Sequence, residues 1–204
     1  MSQEGHSFAK MTLTQHLEEL RKRLFRSAIA AFIGMGLCYS FAHELFDMLV
    51  EPLKEVLPEG TSLIYTALPE AFFTELKIAL VAGIFLTSPY IFYRFWQFVK
   101  VGLYPTERKM MMPLAFFSAL FFCTGASFGY YVVFPVAFEF FMSFSEKSEF
   151  ITAMPKLSEY LGFSLKLLIA FGVAFELPLV VYFLARMGLI THTFMRKHRK
   201  YAVL

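Results

Sequence analysis

"MMMPLAFFSALFFCTGASFGYYVVFPVAF" occupies residues 110–138, which is 29 consecutive positions without an Asp, Glu, Lys or Arg. A helix rises about 1.5 Å per residue, so about 20 apolar residues cross the hydrocarbon core of a bilayer. The run is long enough. It is also continuous, where a barrel strand would alternate apolar and polar residues. It therefore reads as a membrane-spanning helix, and the rest of the chain follows its pattern. Residues 27–43 and 78–93 are equally free of charged side chains. A fourth apolar region, 160–187, is interrupted only by Lys166 and Glu176. The first two runs are short for a span, so flanking charged side chains must snorkel or the bilayer must thin.

Composition agrees with a lipid solvent. The 204 residues are 57% hydrophobic and 17% charged. A soluble domain is nearer half apolar and about a quarter charged. The net charge of +3 is too small to suggest nucleic acid. Cys38 and Cys123 both fall within apolar runs and read as small buried hydrophobes, with neither disulfide nor metal implied. The expected fold is an all-α polytopic integral membrane protein. It forms a single membrane domain over 1–204, with spans at 24–46, 72–97, 110–141 and 159–187. Pro89, Pro113, Pro135 and Pro178 predict bent or broken helices. Ahead of the first span, "MTLTQHLEELRKRLFRS" (11–27) places Leu13, Leu17, Leu20 and Leu24 on one stripe. Thr12 and Gln15 resemble a capping box at its start. It reads as an amphipathic helix on the cytoplasmic surface, running into the first span.

The charges orient the spans. Lys plus Arg number five up to Arg26, two in 43–77, four in 94–109, three in 139–166 and five in 186–204. High and low counts alternate, and the positive-inside rule places both termini and the 94–109 loop in the cytoplasm. Pro58 and Met154 are then outside. The first outer loop holds Pro52, Pro58 and Pro69, so it folds back on itself.

Catalytic signatures are absent: there is no HExxH, GxSxG, P-loop or Cys/His cluster. The chain reads as a non-enzyme. Three acids invite a role. Glu176 lies near the middle of the fourth span, where an ionisable group is costly and marks either function or an internal hydrogen bond. Lys166 is ten residues away, about 15 Å along a helix, and is a poor partner. Glu19 has a local explanation, because Glu18–Lys22 and Glu19–Arg23 are i,i+4 pairs. Glu107 has one too, as a loop charge near a helix start. Glu19 and Glu107 nevertheless share the cytoplasmic side, among Lys and Arg, with Phe98 nearby as an apolar or cation–π surface. Two such carboxylates suit two guanidinium groups.

"HLEELRKRL" (16–24), "SPYIFYRFWQFVKVGLYPTERK" (88–109), "FGYYVVFPVAF" (128–138) and "LKLLIAFGVAFELP" (165–178) together resemble the TatC family, the multispanning receptor subunits of the twin-arginine protein translocase. They occur in the family's order across almost the whole chain. The resemblance implies a subunit of a bacterial inner membrane, with its N-terminus cytoplasmic. It would bind twin-arginine signal peptides and work with the single-span partners TatA and TatB. It would form homo-oligomers in contact with lipid, and would export folded proteins on the proton-motive force without cofactor or nucleic acid. By motif, Glu19, Arg21, Phe98 and Glu107 correspond to signal-peptide binding and Glu176 to the intramembrane polar position of partner assembly. Pro52 matches a structural proline of the first outer loop, and Tyr130 or Tyr131 an aromatic of the third span. The family has six spans. Four fall here, and 188–204, ending "HRKYAVL", is expected to lead towards a fifth. The alternative reading is a proton-coupled secondary transporter with Glu176 as relay.

Overall fold

Each apolar run becomes a helix. The structure, a computed structural model, describes residues 13–57, 63–64, 66–99, 110–146 and 154–186. Its helices are α1 (Leu13–Tyr39), α2 (Ala42–Lys54), α3 (Glu70–Val99), α4 (Met111–Phe128), α5 (Phe134–Glu146) and α6 (Leu157–Arg186). A π-helical segment, Gly129–Val133, joins α4 to α5 into one span, Met111–Ser143. Among the described residues three helices are long and apolar enough to cross a membrane, and four if α1 with α2 is one broken span. The chain is an all-α, multi-pass membrane protein.

The first span differs from the expected 24–46. α1 ends at Tyr39, and α2 leaves it at 84°. The reason lies in α2's side chains. Glu44, Asp47, Glu51 and Lys54 are exposed on one face, while Leu49, Val50, Pro52 and Leu53 are buried on the other. Continuing straight would carry these charges towards hydrocarbon, at about 3 kcal/mol each near its centre. Turning across the bundle end buries the apolar stripe instead. The amphipathic stretch at the start of the chain is continuous with the span, since α1 runs unbroken from Leu13.

α3 and α6 run through Pro89 and Pro178 as single helices. Pro135 has a visible effect. It offers no N–H to the Tyr131 carbonyl, and just before it the ladder shifts register, so that the Phe134 N–H reaches the Gly129 carbonyl five residues back.

α3 is central and packs against α1, α4, α6 and α2. Two pairs approach closely because glycine permits it. A Cβ on Gly83 would collide with the Met35 backbone of α1, and one on Gly34 would sit 2.7 Å from the Gly83 carbonyl oxygen. Between α4 and α6, a Cβ on Gly125 would meet Phe175 Cβ at 2.9 Å. In lipid, where apolar burial gives no driving force between helices, such small-residue contacts carry the packing. Two apolar cores result. One, at the α2 end, centres on Leu53, Ile78, Phe134 and Leu161. The other, nearer the opposite end, centres on Trp96, Met111, Leu114 and Phe183.

Candidate functional site

The N-terminal end of α1 lies against the last turns of α3. Both expected local pairs form. Lys22 Nζ is 2.7 Å from Glu18 on the exposed face. Arg23 binds Glu19 on the inward face, where the two side chains are only 17% and 24% exposed. Arg23 also reaches across to α3. Its Nη1 donates to Gln97 Oε1 at 3.4 Å and to the Arg94 carbonyl at 3.5 Å. Gln97 is held in turn, donating through Nε2 to the Tyr93 hydroxyl at 2.7 Å. Arg94 donates to the Tyr90 hydroxyl at 2.9 Å and lies 4.9 Å above that ring's centroid. Phe98, half-buried, follows Gln97 in the same turn. Arg21 is exposed on α1. Of the four residues matched to peptide binding, Glu19 and Phe98 are thus carried on packed helices at one end, and Glu107 lies outside the described residues.

The same turns of α3 face a second polar site. Trp96, buried, donates from Nε1 to the buried Ser118 hydroxyl of α4 at 2.8 Å. Ser118 is the hydroxyl neighbour of the Glu176 carboxyl on α6. Glu176 is only 8% exposed, and its Oε1 has no hydrogen-bond partner among the described residues. The carboxyl therefore faces the packed interior of α3, α4 and α6. Lys166 is exposed, elsewhere on α6.

The other end is locked by groups that a sequence does not advertise. In α2 the Met48 carbonyl would accept the N–H of residue 52, but that residue is Pro52. The Tyr130 hydroxyl donates to it instead, at 2.7 Å. The Tyr160 hydroxyl of α6 donates to the next carbonyl, Leu49, also at 2.7 Å. Pro52 and Tyr130 are thus one device. Glu70, at the start of α3, gathers donors from two connections. Its Oε2 accepts from the Thr66 N–H at 2.9 Å, the Ala67 N–H at 3.3 Å and the Thr66 hydroxyl at 3.3 Å. Its Oε1 accepts from the Ser158 N–H at 3.0 Å. Beside it a parallel bridge pairs Ile64 with Lys156.

Sequence reasoning passed over Gln97, Trp96, Ser118, Tyr160 and Glu70 as site or anchoring residues. Only Glu70 carried a usable signal, an acid in the first turn of a helix. No group of His, Cys, Asp and Glu among the described residues is arranged to hold a metal.

Comparison with known proteins follows this geometry. The family model described as "Sec-independent protein translocase protein (TatC)" matches residues 15–204. A Sec-independent protein translocase protein TatC of Desulforapulum autotrophicum is 52% identical over 195 residues, covering 96% of this chain and 72% of that protein. The corresponding protein of Aquifex aeolicus is 40% identical, covering 95% of this chain and 80% of its own length. A crystal structure described as the twin arginine translocase receptor TatC in DDM superposes with a TM-score of 0.82 at 40% identity, over 91% of this chain and 82% of that one.

Proposed function

This chain belongs to the TatC family of Sec-independent protein translocase proteins, and from that membership we propose that it is the receptor subunit that binds twin-arginine signal peptides on the cytoplasmic side. Assembled with TatA and TatB, it nucleates a translocase that exports folded proteins on the proton-motive force. The observation that carries this reading is the Glu19 carboxylate, held by Arg23 against the last turns of α3, one turn from Phe98. Glu107 supplies the second carboxylate from the following loop. The site lies at the end of the bundle with the greatest excess of Lys and Arg, which repels cations that cannot make the directed contact. Glu176, buried among three helices, serves partner assembly.

The test titrates twin-arginine and twin-lysine peptides onto the chain in nanodiscs at two salt concentrations. Glu19→Gln and Glu107→Gln keep the shape and lose the charge. Each weakens the arginine peptide by about ten- to hundredfold, the worth of a partly desolvated charge-assisted contact. Glu107→Lys nearly abolishes binding. The lysine peptide binds poorly from the start, since an ammonium lacks the planar fork, and loses much less. Glu176→Gln lowers co-purification of the single-span partners more than it lowers peptide affinity. Equal losses for both peptides that vanish at high salt reduce the acids to a surface potential and defeat the reading.

A further inference from the structure

Arg23 holds Glu19 by one oxygen only. Its Nε, at 3.1 Å, and its Nη2 both donate to Oε1. Oε2 is shielded from solvent and has no hydrogen-bond partner among the described residues. A guanidinium facing a carboxylate usually spans both oxygens with parallel N–H bonds. Here the remaining nitrogen, Nη1, is turned away onto α3, to Gln97 Oε1 and the Arg94 carbonyl. A buried carboxylate oxygen without a donor is expensive to maintain, and such an oxygen in a native fold requires an explanation.

We infer that Arg23 is a positioning residue, tethered to α3 through Gln97, that occupies Oε1 of Glu19 and leaves Oε2 to accept an N–H from one arginine of the signal peptide. This rests on the signal-peptide reading above and makes it more specific. The peptide arginine meets a single, desolvated oxygen whose direction is set by α3. That geometry favours arginine over lysine. A guanidinium is weakly hydrated and reaches a dry acceptor at low cost, whereas an ammonium must shed a tight water shell. The same contacts admit an opposite reading, in which Arg23 sits in the ligand's place and competes with it. The two readings differ in sign.

Peptide affinity is measured with the full chain in nanodiscs, using twin-arginine and twin-lysine peptides. Arg23→Gln is compared with Lys22→Gln, which removes the same charge one residue away from an exposed pair that does not touch Glu19. Relative to Lys22→Gln, Arg23→Gln weakens the arginine peptide by about tenfold and shrinks the arginine-to-lysine preference. Gln97→Leu, which changes no charge, acts in the same direction, and the double variant is no worse than Arg23→Gln alone. Tighter binding in Arg23→Gln makes Arg23 a competitor and overturns the proposal. So does an Arg23→Gln effect equal to that of Lys22→Gln. If Glu19→Gln weakens the arginine peptide while Arg23→Gln and Gln97→Leu do not, the receptor reading stands and only this inference falls. If Glu19→Gln has no effect, both fall.

Discussion

Pro52 withholds an amide from the Met48 carbonyl, and Tyr130, from 82 residues away in the chain, supplies the missing donor. The energetic consequence is conditional. Tyr130→Phe removes the donor and destabilises the protein by about 1 kcal/mol, the usual cost of an acceptor left unpaired. In a Pro52→Ala background the helix supplies its own N–H, and the same Tyr130→Phe change costs less. A double-mutant cycle read by thermal unfolding in detergent checks this, and strict additivity would separate the two residues. Both were singled out in the sequence, one at a time. Their connection was illegible there, because a hydroxyl reaching a distant carbonyl leaves no periodicity. Glu19 shows the complementary case. Its i,i+4 partner could be read directly from spacing, while the tether to Gln97 depended on which faces of α1 and α3 meet.

Spans were the most legible elements, since an uninterrupted apolar run has few alternatives. The break between α1 and α2 was harder, because no proline or glycine marks it. What turns the chain is the pattern of acids on α2, and only with a bundle end to lie across does that pattern dictate an angle. The pairing of helices was also hidden. Gly34 and Gly36 look alike in sequence, yet Gly34 lies against Gly83 while nothing approaches Gly36 within 4 Å. Gly83→Val therefore forces α1 from α3 and costs about 1–3 kcal/mol or more, as overpacking does. Because the Glu19 site spans this interface, peptide affinity falls with it. Gly36→Ala is neutral or stabilising by up to about 1 kcal/mol, through helix propensity. Melting temperatures in detergent, with peptide titration of each variant, separate the two cases. Equal responses would deny the close approach.

At the scale of the molecule, large apolar side chains such as Phe32, Leu86, Phe116, Tyr131 and Leu177 stand exposed on every span, as a lipid-facing surface requires. Orientation across the membrane rests on the charge asymmetry between the two ends. Single cysteines at Met154 and Pro58, in a background lacking Cys38 and Cys123, are expected to react with an impermeant maleimide in intact cells. Labelling only after permeabilisation reverses the topology. The candidate site was legible as a set of residues and less so as a geometry. Motif order supplied Glu19, Phe98 and Glu176. The arrangement around them, with α3 presenting Gln97 towards one acid and Trp96 towards the hydroxyl beside the other, depends on packing that no single-sequence pattern encodes.

The knot at Glu70 imposes a timetable on synthesis. The Thr66 and Ala67 amides lie within four residues of the carboxylate and are present when α3 leaves the ribosome. The Ser158 amide follows 88 residues later. Ile64 waits as long for Lys156. Glu70 thus begins as a cap for its own helix and becomes a clasp only when the last of these spans enters the bilayer. Until then the nascent subunit keeps one carboxylate oxygen and one strand edge open at that end. Those groups distinguish an unfinished chain from a finished one, and they are what a membrane protease or chaperone would meet on a stalled product.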